Sequence, residues 1–148
     1  MLSDKSLVEE LMEKVLERLR TDEALSAEVR GFRLSEPIEP VEFPLIYVEL
    51  SPSSGEQLVP RGSSTFERIV KLDVCVVDRH VEPEKADISV LRLAERVLRC
   101  LSEDPRLGGL VEDSYVERIT PEYGAVKDHA ISRARITVSC RVMWRARP

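Results

Sequence analysis

Histidine, cysteine and aromatic side chains are all scarce in this chain, and that scarcity narrows its chemistry. Two histidines, three cysteines and 5% aromatics leave few general bases, nucleophiles or base-stacking platforms. Cys75, Cys100 and Cys140 form no CxxC spacing and read as small buried hydrophobes of a reducing compartment. No apolar run approaches the ~20 residues that cross a bilayer, and no charged-then-apolar leader opens the chain. Synthesis and residence in the cytoplasm are the expectation. GxSxG, a phosphate-cradling loop and a dinucleotide fingerprint are all missing. Gly108-Gly109 follows a helix instead of opening one, so it reads as a helix stop. Acid is missing from the last stretch of the chain. After Asp128 no Asp or Glu occurs, while arginine stands at 133, 135, 141, 145 and 147.

What is present suits one soluble domain spanning residues 1–148, with 43% apolar and 33% charged residues and a net charge of −5. That balance argues against a surface devoted to nucleic acid, which needs concentrated base.

Two alternating runs dominate, Phe66 to Asp78 and Ala130 to Trp144. In the second, Ala134, Ile136, Val138, Cys140, Val142 and Trp144 share one parity. Arg133, Arg135, Thr137, Ser139, Arg141 and Arg145 hold the other, where only Ile131 and Met143 are apolar. A period of two sends these sets to opposite sheet faces. About sixteen residues at about 3.3 Å each reach roughly 53 Å. A compact chain of this size is a sphere roughly 38 Å across. The strand must therefore bend, bulge or protrude, and a protruding strand needs a partner.

Leu7, Val8, Leu11, Met12, Val15, Leu16 and Leu19 predict a first helix with one apolar stripe, ending near Thr21. A short turn over 24–29 follows. Pro37, Pro40 and Pro44 predict an extended connector over 32–43. Leu45 to Leu50 is a strand and 51–64, rich in Ser, Gly and Pro, a loop. Pro83 precedes a long helix over 84–102, whose buried stripe is read as Ile88, Leu91, Ala94, Leu98 and Leu101, widened by Val90, Leu93 and Val97. A third strand around Tyr115, Val116 and Ile119 leads through a connection at 121–128 into the last. The expectation is an α+β two-layer sandwich: a mainly antiparallel four-stranded sheet with two main helices on one face.

Asp78, His80 and Glu82 alternate and could form a weak metal site. The plainer reading is a polar strand end entering a helix whose first turn favours carboxylates. His129 reads as a turn residue. No catalytic residue, metal or cofactor is expected, and the chain is not read as an enzyme. The arginine parity has two readings. It is a solvent face, or it is half of an electrostatically matched interface. On the second, the contact candidates are Arg133, Arg135, Arg141 and Arg145, with Gln57 and Arg61 from the 51–64 loop. Leu58 to Ser63 spells the recognition sequence of a protease used to remove expression tags. Tags sit at termini and this stretch lies inside the domain, so we read it as coincidence in a loop open to that protease.

"FPLIYVEL", "IVKLDVCVVDR" and "LRLAERVLRCLSEDPRLGGLV", followed by the terminal alternating strand, resemble the tail terminator proteins of tailed bacteriophages across nearly the whole chain. The likeness is one of pattern and size, without a short invariant motif. It implies a virion structural protein of the tail or neck, assembled in the bacterial host cytoplasm. It further implies a hexameric ring of copies that caps the tail tube, with the tail-tube protein and the head–tail connector protein as partners. Membrane and sequence-specific nucleic acid are not among them. The alternatives are another neck, head-closure or contractile-tube cap adaptor, and a small metal- or ligand-binding enzyme.

Overall fold

The computed structural model describes residues 6–38, 41–52, 57–62, 64–126 and 128–145. Helix α1 (Leu7–Arg20) begins where the Ser6 hydroxyl accepts the Glu9 amide at 3.1 Å. Glu9 and Glu10 sit in its first turn and Arg18 and Arg20 in its last, the order that complements the helix dipole. Leu11, Val15, Leu16 and Leu19 are buried, as the stripe predicts. The turn expected at 24–29 is a one-and-a-half-turn helix, α2 (Glu23–Glu28), capped by Asp22, whose carboxylate accepts the Leu25 amide at 3.1 Å.

The sheet corrects the expected four strands. Its strands are β1 (Gly31–Leu34), β2 (Leu45–Leu50), β3 (Gln57–Pro60), β4 (Thr65–His80), β5 (Asp113–Val126) and β6 (His129–Arg145). The order is β1-β2-β4-β6-β5, with β3 on β4 beside β2. Every pairing is antiparallel except β1 on β2. The two extra strands come from stretches read as connector and loop. β1 has only four residues and β3 ends in Pro60, so neither carries enough alternation to stand out; each is a strand because a longer neighbour offers it an open edge. The stretch expected to connect into the last strand is likewise the second half of β5.

Helix α3 (Pro83–Ser102) lies with α1 over one face, so the two-layer α+β architecture holds, with the short α2 joining the two main helices among the described residues. Its buried side is Ala86, Val90, Leu93, Ala94, Val97, Cys100 and Leu101. The predicted stripe is rotated from this: Ile88 and Leu91 are more than half exposed. Both sides of α3 are apolar enough to be buried, and docking selects the one with small residues that let helix and sheet approach. The core joins these residues to Ile46 and Val48 of β2, Val70, Leu72, Val74 and Val76 of β4, and Ala134 to Val142 on β6.

β4 and β6 pair without a register break from Thr65↔Arg145 to His80↔Ala130. The partner that an overlong strand needs is thus another strand of the same chain. The one register shift in the β5–β6 pairing falls on β5, between Val116 and Arg118. The ladder continues past Val70 and Val142, the last core members on these strands. This distal end, Thr65–Glu67 against Met143–Arg145 with β3 alongside, extends beyond the core members of both strands.

Candidate functional site: the arginine-bearing face

Opposite the helices, the odd-numbered residues of β6 meet carboxylates from three other strands. Arg135 lies at the centre. Its Nη1 donates to Glu49 Oε1 on β2 at 2.7 Å and to Asp73 Oδ2 on β4 at 3.0 Å, and its Nε donates to Glu122 Oε1 on β5 at 2.9 Å. The bond to Glu122 does most to hold Arg135 protonated, against the opposing effect of burial. Asp73 is 1% exposed, and its second oxygen accepts the Thr137 hydroxyl at 2.8 Å. A buried carboxylate is tolerated only when its lone pairs are met this way. Arg133 reaches Glu36 at 3.1 Å and Glu122 at 3.5 Å. Two guanidinium groups therefore face four carboxylates, and a stripe that reads as basic is locally acidic.

Arg61 and Arg141 come together elsewhere, at the distal end, around the nearly buried Glu67. Arg61 Nε donates to Glu67 Oε2 at 3.0 Å, and Arg141 Nε lies 3.8 Å from Oε1. Both arginine side chains remain about half exposed, at 53% and 51%. Of the six interface candidates the fold thus makes two separate pairs, Arg133 with Arg135 and Arg61 with Arg141. For the other two it describes the backbone alone: Gln57 is opposite Ile69 and Arg145 opposite Thr65, and their side chains lie outside the described residues. The protease-like stretch falls partly in β3, with Ser63 outside the described residues.

The Asp78–His80–Glu82 stretch shapes a turn. His80 Nδ1 accepts the Glu82 amide at 3.1 Å, and Asp78 Oδ1 accepts the Arg79 amide at 2.8 Å. Among the described residues, no group of three or more His, Cys, Asp or Glu is placed to hold a metal ion.

Sequence reasoning missed a second apolar cluster on this same face: Leu45, Tyr47, Cys75 and Val77, with Val41, Phe43 and Ile131 packed against it. The clue was available. Cys75, Val77 and Ile131 are apolar residues on the arginine parity, near one end of the sheet. All three cysteines are buried and unpaired; burial pushes the Cys75 and Cys140 thiols up to about 12. No described helix is long and apolar enough to cross a membrane.

No protein-family model matches the chain, and no curated protein does. Its fold is similar to that of a solved chain in the virion of a native gene transfer agent particle. The two share 13% identity and a TM-score of 0.55, over 95% of this chain and 100% of that one. The likeness is one of fold.

Proposed function

We propose that this protein is a structural component of a phage-like virion and, more specifically, a tail terminator. Copies form a hexameric ring on the end of the tail tube, stop its growth and present a surface to the head–tail connector, without enzymatic activity. The observation that carries the reading is the end-to-end fold likeness to a chain of a gene transfer agent virion, together with the sequence resemblance.

Surface features support assembly of copies. The two edges of the sheet, β1 and β5, are different surfaces, as a head-to-tail interface that closes into a ring requires. Beside β5, Leu98 and Leu101 of α3, with Val116 and Val138, line a groove of about 590 Å³. Ile88 and Leu91 extend the α3 side, and Ile119 and Tyr123 the β5 side, all 40–70% exposed. Contiguous exposed apolar surface of this kind marks contact sites. This groove is the lateral contact in our reading. Arg61 and Arg141 at the distal end are the axial one. Arg133 and Arg135 serve instead to lock the sheet, because four carboxylates of the chain meet them and their side chains are largely covered, whereas Arg61 and Arg141 share one carboxylate and stay about half exposed.

Negative-stain electron microscopy and native mass spectrometry, on the protein alone and mixed with tail tubes, test the proposal. Rings or capped tube ends are expected. A strict monomer that also leaves tube ends bare would overturn it. Rings that bind a connector but never a tube would favour the neck-adaptor reading.

A further inference from the structure

The sheet ends in two open edges, β1 and β5, and the pairings between them put matching residues on the same rungs. Leu34 of β1 lies opposite Val48, Val48 opposite Val74, Val74 opposite Ile136, and Ile136 opposite Ile119 of β5. The neighbouring rungs link Phe32 to Pro121, Arg33 to Thr120 and Gly31 to Glu122. All of β1 therefore stands level with residues 119–122. Val48, Val74 and Ile136 belong to the helix-side core, so Leu34 and Ile119 share that face of the sheet. Each is a large apolar side chain left open at an edge, 42% and 40% exposed.

β1 is parallel to β2, and three antiparallel pairings lead from β2 to β5, so β1 and β5 run in opposite directions. Rotating a copy about an axis along the strands brings its β1 antiparallel against β5 of the next copy. The rungs match, and the same face stays toward the helices. The main chain suits this contact. Gly31 and Ser35 donate their amides to β2, so Phe32 and Leu34 turn theirs outward. On β5, Pro121 has no N–H, which an edge strand accommodates by turning that position away from its neighbour; Ile119, two residues earlier, turns the same way. The register shift between Val116 and Arg118 ends the regular edge just short of Ile119 and keeps β1 from pairing further down.

We infer that β1 of one copy adds to β5 of the next at residues 119–122, continuing the sheet from copy to copy. The occupant of the β5 edge is a second copy of this chain. Leu34 then covers Ile119, and Phe32 covers Pro121, beside the α3–β5 groove. On the opposite face Arg33 is exposed and has no ion pair among the described residues. It falls opposite Thr120, between Arg118 and Glu122, and Glu122 meets its charge. The inference rests on the ring reading and specifies the lateral contact within it.

The test uses the full chain. Leu34→Lys and Ile119→Lys change exposed edge positions, so each variant should keep an unfolding midpoint close to that of the wild type. In native mass spectrometry each should lose rings, the contact weakened at least about tenfold by a charge buried without a partner. Leu34→Lys and Ile119→Glu together in one chain should regain them, because every contact then holds a Lys–Glu pair. A second measurement needs no ring. Leu34→Cys is mixed with Ile119→Cys and treated with a short bis-maleimide, the native cysteines being buried. The mixture should give at least about tenfold more cross-linked dimer than either variant alone, because only the mixture brings two thiols to one contact. Equal cross-linking in the mixture and the single variants would overturn the inference. Rings that survive both lysines would sink this contact and leave the ring standing. A wild type without rings, whose cysteine mixture still cross-links, would sink the ring and leave this contact standing.

Discussion

On the helix side of β6, Ala134, Ile136, Val138, Cys140 and Val142 meet α1 and α3 across an apolar layer. On the other side, Arg133, Arg135 and Thr137 meet carboxylates from β2, β4 and β5, plus Glu36. The same strand thus takes part in two kinds of cohesion. Burial of apolar area is non-directional and tolerates a rotated helix, as α3 demonstrates. The guanidinium of Arg135 has fixed donor directions, so its three bonds set β2, β4, β6 and β5 in one lateral arrangement. The apolar layer supplies stability; the charged layer specifies alignment.

The sharpest way to break this contrast is Ile136→Ala, on the fully buried helix side. It should cost about 4 kcal/mol in urea unfolding, through lost transfer energy and the cavity left behind. Arg135→Met should come next, at about 3 kcal/mol, because Asp73 stays buried without its cation. If the charged layer governs alignment, this variant should also broaden amide signals along β2 and β5 more than Ile136→Ala does. Equal broadening would erase the distinction. Arg61→Ala with Arg141→Ala should change stability by less than about 1 kcal/mol, since both side chains are half exposed and screened. On the proposed axial contact the double variant should nonetheless reduce capped tube ends in electron micrographs.

The smallest effect belongs to the Asp22–Arg96 ion pair of the helix layer. Burial tends to raise the Asp22 carboxyl, but the Leu25 amide and Arg96, 3.1 Å away, outweigh it and hold the group below its ordinary value. A depressed carboxyl stabilises the fold above the unfolded value of about 3.9, and that contribution fades as pH falls through the folded value. The wild-type advantage over Asp22→Asn should therefore be present at pH 7 and shrink below about pH 4, measured by thermal unfolding across the pH series.

Much of the fold was legible. The 3.6-residue stripe of α1, the length of α3, strand β2 and the two long alternating runs all follow from side-chain periodicity. The short strands β1 and β3 were not, because four residues hold no readable period and their pairing depends on an exposed edge elsewhere. The second apolar cluster was partly legible in Cys75, Val77 and Ile131, but Tyr47 and Phe43 join it from segments distant in sequence. Of the candidate site, the arginines could be found by parity. Their partners could not, since Glu49, Asp73 and Glu122 meet Arg135 only when β2, β4 and β5 flank β6.

By itself, then, the order of residues determined which elements form and which parity of each long strand is apolar, because steric and hydrophobic periodicity act over a few neighbours. Only the tertiary structure decided which side of α3 is buried and that the arginines are met from within. The same holds for the second apolar cluster, where Tyr47 of β2 packs with Cys75 and Val77 of β4. Those outcomes depend on distances between strands separated by tens of residues, which no local pattern encodes.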